Sequence, residues 1–111
     1  MNILFIVLNK TEVLDDILDE FVRIGIGGAT IIDSQGMGAA LTSSGGPDPF
    51  FGSIRAFLDS SRPYNKTIFT VIDDEELLEQ AIKSTKEVVG DINTPGVGMM
   101  FTLPVNNVYG I

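Results

Sequence analysis

The sequence predicts an α+β domain in which four strands and two helices follow one another in the order β-α-β-β-α-β. Four short runs are apolar and rich in β-branched residues, which is typical of buried strands. Two longer segments instead repeat their apolar residues at helical spacing, and each ends at a glycine. This order predicts the ferredoxin-like arrangement, an antiparallel sheet with two helices on one face. The four runs are residues 3–8, 29–35, 67–72 and 99–105.

Length and charge restrict the classes of function. The 111 residues are enough for one domain with a real core, which we expect to span residues 1–111. Hydrophobic residues make up 44% of the chain, so composition excludes a wholly disordered protein. The formal net charge is −8, which repels nucleic-acid phosphates and anionic lipid at long range. We therefore expect no nucleic-acid partner and no direct insertion into a membrane.

The chain lacks the residues on which most enzyme mechanisms depend. It contains no cysteine, and so has no disulfide and no thiolate. It contains no histidine, and so lacks the commonest general base. Since no spacing places paired carboxylates together either, the sequence predicts a protein that is not an enzyme and holds no metal. The apolar run at residues 3–8 is too short for a membrane span or a signal peptide, which predicts a cytoplasmic protein.

Both predicted helices have recognisable ends. The first begins near Thr11, a candidate N-cap, and ends at Gly25. The second follows Asp73, which with Glu76 three residues later resembles a capping box, and ends at Gly90. Because both helices cover one face of the sheet, the other face needs cover, and we expect oligomerisation to supply it. The apolar stripe of the first helix is formed by Leu14, Ile17, Leu18, Phe21 and Val22.

A long segment, residues 39–66, separates the second strand from the third. A connection of this length inside a small domain is usually functional or disordered. Its middle predicts a short amphipathic helix over residues 49–59, with Asp48 as the N-cap. The apolar residues of this helix could dock on a partner protein or fold back over the sheet or a neighbouring subunit, and the cost of exposing aromatic clusters favours folding back. They include the partner-binding candidates Phe50, Phe51, Phe57 and Leu58.

Glycines mark two further places of interest. Gly36 and Gly38 follow the second strand directly and would let a ligand-gated loop hinge there, although an ordinary loop start has the same composition. Gly96 and Gly98 precede the last strand, where a lone G-x-G pattern indicates a simple turn more strongly than an anion cradle. Asp33, beside the first glycine pair, is the carboxylate that stands out near the hinge. The acids at residues 73–76 indicate a helix N-terminus rather than a metal site.

Several segments together resemble the nitrogen-regulatory PII signalling proteins. Residues 25–38 read GIGGATIIDSQGMG, which is similar to the glycine-bounded second strand that leads into the mobile T-loop of that family. Residues 14–17, LDDI, resemble its LDDV, and residues 71–82, VIDDEELLEQAI, resemble its junction between the third strand and the second helix. Residues 93–105, NTPGVGMMFTLPV, are placed where the family has its glycine-rich phosphate-binding B-loop and last strand.

The resemblance implies a homotrimer with ligand clefts between subunits. It implies that these clefts bind adenine nucleotides and, in some members, 2-oxoglutarate, with Gly28 and Thr30 at the adenine ring. It makes residues 39–66 the counterpart of the T-loop, which would regulate a partner such as a membrane transporter or a regulatory protein. The remaining ligand-binding candidates are Gly36, Met37, Gly38, Thr94, Gly96, Val97 and Gly98.

The sequence departs from the PII pattern where charge should contact phosphate. Val97 and Met99 stand where the family has an acid and a lysine, and Thr94 stands where another lysine is usual. Ala40 replaces the glutamine that helps to hold 2-oxoglutarate and magnesium. Without charge-assisted bonds a triphosphate would be held weakly. Residues 99–105 also resemble the VFVLPV strand of PII-like receptors for cyclic di-AMP.

The sequence therefore predicts a PII-like signal-transduction protein. We expect it to bind a small nucleotide-type effector, an adenine nucleotide or a cyclic dinucleotide, in clefts built from residues 36–40 and 93–99, and to regulate a partner through the long loop. Two alternatives stay open. One is a structural or interaction subunit without effector binding, and the other is a protein similar to the cyclic di-AMP receptors.

Overall fold

The computed structural model describes residues 1–43 and 64–110. Within these ranges the chain forms four strands, β1 Asn2–Leu8, β2 Thr30–Gln35, β3 Tyr64–Ile72 and β4 Gly98–Pro104. It also forms three α-helices, α1 Leu14–Ile24, α2 Met37–Ser43 and α3 Glu75–Val89. A single turn of 3-10 helix, Thr11–Val13, precedes α1.

The four strands form one antiparallel sheet in the order β2-β3-β1-β4. β1, which has a neighbouring strand on both sides, is continuously apolar from Ile3 to Leu8, whereas β3 also carries polar residues. The long helices α1 and α3 pack against each other. The predicted α+β, ferredoxin-like arrangement is confirmed.

The core lies between the two long helices and one face of the sheet. Alternate residues of β1 point into it, since successive side chains of a strand lie on opposite faces. Helix α1 contributes Ile17 and Phe21, and α3 contributes Ala81 and Val89 at the spacing that keeps residues on one helical face. The strand residues buried with them are Leu4, Ile6, Leu8, Ile68 and Ile72.

The opposite face of the sheet carries a row of three aromatic rings. Phe5 of β1 lies in the middle, with its ring centroid 5.5 Å from that of Phe69 and 5.0 Å from that of Phe101, which stacks on it. Phe101 is 39% exposed, and Met99 and Leu103 on the same face of β4 are more exposed still. In this single chain the face is therefore a contiguous apolar surface, which we call the open face.

The first helix begins differently from the prediction. Thr11 is not the N-cap of α1: it is the first residue of the 3-10 turn, and Val13 precedes the α-helix without a side-chain hydrogen bond to its N-terminus. The start is instead held by backbone bonds, as Val13 N donates to Lys10 O at 3.3 Å. The predicted end is correct, because Gly25 adopts φ +100°, and its N–H donates to the carbonyls of Phe21 and Val22.

The capping residue of α3 is Asp74, not Asp73 as predicted. The helix begins at Glu75, so Asp74 is the residue whose extended backbone lets its carboxylate turn back, and Asp74 Oδ1 accepts from Glu76 N at 2.9 Å. The sequence Asp73-Asp74 gave two adjacent candidates, and only the register of β3 against β1 decides where the strand stops. Gly90 ends the helix at φ +81°, as predicted.

Replacing Asp74 with alanine is expected to lower the free energy of unfolding by about 1 kcal/mol, because the N–H of Glu76 loses its acceptor. Chemical denaturation at a fixed protein concentration measures the change. The matched control is Asp73→Ala, which removes a neighbouring acid that caps nothing and should change stability by less than about 0.5 kcal/mol. Equal effects of the two substitutions would contradict the assignment of the cap.

The connection between β2 and β3 spans residues 36–63, so it begins and ends three residues earlier than the predicted segment. The predicted loop at residues 39–66 overlaps α2 at its start and β3 at its end, since β3 already begins at Tyr64. Seven residues are too few to show an apolar stripe, which is why the sequence pattern did not reveal α2. The predicted helix over residues 49–59, with Phe50, Phe51, Phe57 and Leu58, lies outside the described residues.

Candidate functional site

Two of the predicted ligand-binding segments lie at the same end of the sheet. Leu8, the last residue of β1, is opposite Lys66 of β3 on one side and Gly98 of β4 on the other. β2 ends at this edge as well, with Gln35 opposite Tyr64. The turn into α2 and the loop before β4 therefore project from one end of the sheet, although β3 and β1 separate them.

The loop before β4 is organised by its own backbone. Asp91 Oδ1 accepts from Asn93 N, and Asp91 O accepts from Thr94 N, both at 3.0 Å. Val97 N donates to Thr94 O at 3.3 Å, and Val97 O accepts from Asn9 N and Lys10 N at 3.0 and 3.1 Å. The loop is thus tied to the end of β1 and presents a fixed backbone.

The four predicted residues of this loop have different surroundings. The Val97 side chain is only 9% exposed and packs in the core, and its N–H and C=O are already bonded. Gly98 has φ +145°, and a Cβ there would overlap Val7 O and lie 3.2 Å from Leu8 Cα. Gly96 has φ +88° and open space around its Cα, and Thr94 lies on the exposed surface. Gly96 and Thr94 are thus the two that a ligand can approach.

The predicted glycine hinge is the beginning of a helix. Gly36 precedes α2, Gly38 is in its first turn, and Ala40 N donates to Gly36 O at 3.0 Å. Among the described residues positive φ occurs at five other glycines, so this turn does not use the left-handed conformations that glycine allows. Met37 extends into solvent between the two glycines.

Gly28 and Thr30 lie at the other end of β2. Thr30 is opposite Phe69, and Thr70 Oγ1 donates to Gly28 O at 2.6 Å, which holds the chain before β2 against β3. A shallow groove of about 350 Å³ lies here, lined in part by Gly28, Thr30 and Phe69. At the rise of a strand, Thr30 is about 17 Å from the Gln35 end. Within one chain the two halves of the predicted site do not meet.

A groove beside the last strand contains a cation that the sequence reasoning missed. It has a volume of about 440 Å³ and lies between α3 and the edge strand β4, next to the loop before β4. Its lining includes Ile82, Ile92, Asn93 and Lys86, which is in the last turn of α3. Helical spacing predicts that Lys86 faces solvent. Only the tertiary structure shows that Lys86 lies next to the loop before β4.

A second feature that the sequence reasoning missed is a polar cluster where β2 meets β3. Asp33 forms an ion pair with Lys66 directly across the two strands. On the opposite face Ser34 Oγ donates to Asn65 Oδ1 and bonds with Thr67 Oγ1 at 2.8 Å. These pairs are 31 to 33 residues apart in sequence, so no local pattern could have indicated them.

A shifted pKa is found on α1, away from these sites. On α1, Arg23 Nη2 lies 2.6 Å from Glu20 Oε2, and this hydrogen bond raises the pKa of the guanidinium above its ordinary value. The pair is exposed and one helical turn apart, so it is a surface feature of α1. In residues 1–43 and 64–110 no cluster of acidic side chains could hold a metal ion, and no helix in them is long and apolar enough to cross a membrane.

Comparison with known proteins agrees with this fold. A model of the family described as nitrogen regulatory protein P-II matches residues 1–111. The crystal structure of Arabidopsis thaliana PII bound to citrate superimposes with a TM-score of 0.63 and 17% sequence identity, over 94% of this chain and 76% of that one. That likeness concerns the fold alone. A search of curated proteins finds no match. Because the family model covers the whole length, the chain belongs to the nitrogen regulatory protein P-II family.

Proposed function

We propose that this protein is a PII-type signal-transduction protein that binds a small effector in clefts between the subunits of a homotrimer. Proteins of the family are signalling proteins rather than enzymes and generally form trimers. The observation that carries the proposal is the separation of the candidate residues. Gly28 and Thr30 lie at one end of β2, and the turn into α2 and the loop before β4 lie at the other. A cleft that uses both sets needs two chains.

The open face supports a homotrimer. Its aromatic row and the exposed residues of β4 form an apolar surface without cover in the single chain. Contiguous apolar surfaces of this kind mark interaction sites in soluble proteins. Because they lie on the face away from α1 and α3, three sheets can pack against one another while the acidic helices stay in solvent. Such packing places the end of one sheet beside its neighbour.

The charges support an effector with few negative charges. Lys86 is the basic residue that lines the groove beside the loop before β4. The loop itself offers Gly96 and Thr94 but no cation, and the whole chain carries a net charge of −8. One lysine and backbone N–H groups can hold a phosphate, but they neutralise only a small part of the negative charge of a triphosphate. A cyclic dinucleotide, with one negative charge per phosphate, or a nucleotide of low charge fits this environment best.

Regulation of a partner is assigned to residues 39–66, where the family has its T-loop. The segment includes the end of α2 and the start of β3, and it lies at the end of the sheet where Gly36, Gly96 and Thr94 are found. An effector bound at that edge could order the segment and so expose or hide a partner surface, a common way to couple binding to recognition. Phe50, Phe51, Phe57 and Leu58 are the residues proposed to contact a partner such as a membrane transporter or a regulatory protein.

A thermal-shift screen tests effector binding. The probes are ATP, ADP, cyclic di-AMP, 2-oxoglutarate and citrate, the ligand of the Arabidopsis protein. We expect a cyclic dinucleotide or a nucleotide to raise the Tm, and Lys86→Gln to weaken binding about tenfold, equivalent to roughly 1.4 kcal/mol. Lys83→Gln is the matched control, because Lys83 is one turn earlier on α3 and outside the groove. No shift with any probe, in protein shown to be trimeric, would favour the structural-subunit alternative.

Deletion of residues 44–61 separates signalling from assembly. If the segment reports an effector, the shortened protein stays trimeric in light scattering and loses the partner that the full chain recruits. If the segment serves assembly, the trimer itself is lost. The second result would contradict the signalling role of the segment.

A further inference from the structure

A groove between α1 and α3 contains a buried hydroxyl group without a partner. Ser84 of α3 is 5% exposed, and its Oγ makes no hydrogen bond within residues 1–43 and 64–110. The hydroxyl of the next residue, Thr85, donates to Ala81 O at 2.8 Å, which is the usual arrangement for a hydroxyl inside a helix. Because nearly all buried polar groups in proteins have a partner, the Ser84 hydroxyl indicates that a further group binds in this groove.

The groove is large enough for a small molecule. Its volume is about 430 Å³, and small-molecule sites range from roughly 300 to 1,000 Å³. It lies on the side of the sheet that the helices cover, away from the open face, and it shares no lining residue with the groove that contains Lys86. The lining consists of Arg23 and Ile24 from the end of α1, and Gln80, Lys83, Ser84 and Glu87 from α3.

Two charges of opposite sign in this groove have no ionic partner. Lys83 and Glu87 are four residues apart on α3, yet neither forms an ion pair within the described part of the chain. A lysine that precedes a glutamate by four residues is the weaker of the two helical orientations, which leaves both side chains open to a ligand. Arg23 is already occupied, since its Nε and Nη2 donate to Glu20 Oε2 at 2.9 and 2.6 Å.

These charges favour a ligand that carries both signs itself. An anion would satisfy Lys83 but approach Glu87 and a chain with a net charge of −8, and a cation would leave Lys83 unpaired. A zwitterion has no net charge, so the field of the chain does not repel it, and it can contact both side chains. In an α-amino acid the ammonium and the carboxylate are attached to one carbon. They can therefore bridge two residues one helical turn apart, whose Cβ atoms are about 5 to 6 Å from each other.

We propose that this groove binds an α-amino acid with an apolar side chain. The ligand carboxylate accepts hydrogen bonds from Lys83 Nζ and Ser84 Oγ, which gives the buried hydroxyl its partner. The ligand ammonium donates to the Glu87 carboxylate, and the ligand side chain packs against Ile24, the apolar residue of the lining. The site goes beyond the effector clefts proposed above, since it needs one chain only.

Nitrogen-15 NMR of the full-length protein tests the proposal, with L-leucine and two analogues that each lack one of its charges. Isocaproate has the same carbon skeleton without the ammonium group, and isoamylamine lacks the carboxylate. We expect L-leucine to move the backbone amide signals of residues 83–87 saturably, and each analogue to bind at least tenfold more weakly. The proposal is overturned if L-leucine moves none of these signals, or if either analogue binds as tightly as L-leucine.

Two variants locate the binding. Glu87→Gln removes the partner of the ammonium, so L-leucine should lose at least tenfold in affinity, and Ser84→Ala removes a donor to the carboxylate, so the loss should be about fivefold. Both variants are expected to fold, because Glu87 is exposed and alanine is the best helix former. Glu79→Gln is the matched control, since Glu79 is an exposed acid on the same helix outside this groove.

Unchanged affinity in Glu87→Gln or in Ser84→Ala contradicts the proposed contacts, as does an equal loss in Glu79→Gln and Glu87→Gln. Lys83→Gln separates this site from the effector clefts. It should weaken L-leucine binding at least tenfold and leave nucleotide binding unchanged, because Lys83 does not line the groove beside β4.

Discussion

Gly98→Ala, which adds one methyl group, is expected to lower the free energy of unfolding by about 3 kcal/mol. This is the largest loss of stability that we predict. Two costs combine. A residue with a side chain is strained at φ +145°, which costs about 1 to 3 kcal/mol. The new Cβ would also overlap the backbone of Val7 and Leu8, and overpacking against a fixed backbone costs about 1 to 3 kcal/mol more. Because these atoms belong to the central strand β1, they cannot move without disturbing the core.

Thermal unfolding at one protein concentration measures this effect. For a domain of this size, 1 kcal/mol corresponds to roughly 4 °C in Tm, so we expect a fall of about 12 °C. Gly27→Ala is the matched control, since Gly27 has open space around it and a φ that alanine adopts. A Gly98→Ala protein as stable as Gly27→Ala would contradict the close approach of β4 to β1. In that case, contact with a ligand would be the remaining explanation for a glycine at residue 98.

Phe101→Glu is expected to convert the proposed homotrimer into monomers at micromolar concentration. Phe101 stacks on Phe5 in the aromatic row and is 39% exposed in the single chain. A carboxylate there stays hydrated in the monomer, but it would be buried among apolar side chains in the assembly, which costs several kcal/mol per subunit unless it is paired. Three subunits each carry the substitution, so the cost recurs at each contact.

Light scattering coupled to gel filtration distinguishes a 12.0 kDa monomer from an assembly of three such chains. Circular dichroism checks that the monomer keeps its helices and sheet. Val22→Glu is the matched control, because Val22 is an exposed apolar residue on α1, away from the open face. A Phe101→Glu protein that stays trimeric would show that the subunits meet through another surface. The proposed effector clefts would then need a different subunit arrangement.

The order and type of the strands and long helices could be predicted because they depend on local patterns. Apolar alternation, helical spacing and terminal glycines act over a few residues, and the run at residues 3–8 and the stop at Gly25 are correct for this reason. Errors arose where two neighbours competed, as at Asp73 and Asp74, or where an element was too short to show a period, as in α2.

The candidate site was predictable only in part. Its glycine-rich segments are visible in the sequence, and the resemblance to PII proteins named them, but their roles depend on what lies opposite. Gly98 faces the backbone of β1, whereas Gly96, two residues earlier, faces open space. Val97 between them packs in the core. A G-x-G pattern cannot distinguish these three environments, because they are set by the register of β4 against β1.

The sequence by itself determined the P-II family, the α+β order and the absence of histidine and cysteine chemistry. Only the tertiary structure decided which residues work together. Asp33 meets Lys66 and Ser34 meets Asn65 because pairing between strands brings together groups that are far apart in the chain. Lys86 adjoins the loop before β4 because the end of α3 lies beside β4. A shift of one residue in register would turn each strand side chain to the other face, so these partnerships follow from the packed core that fixes the register.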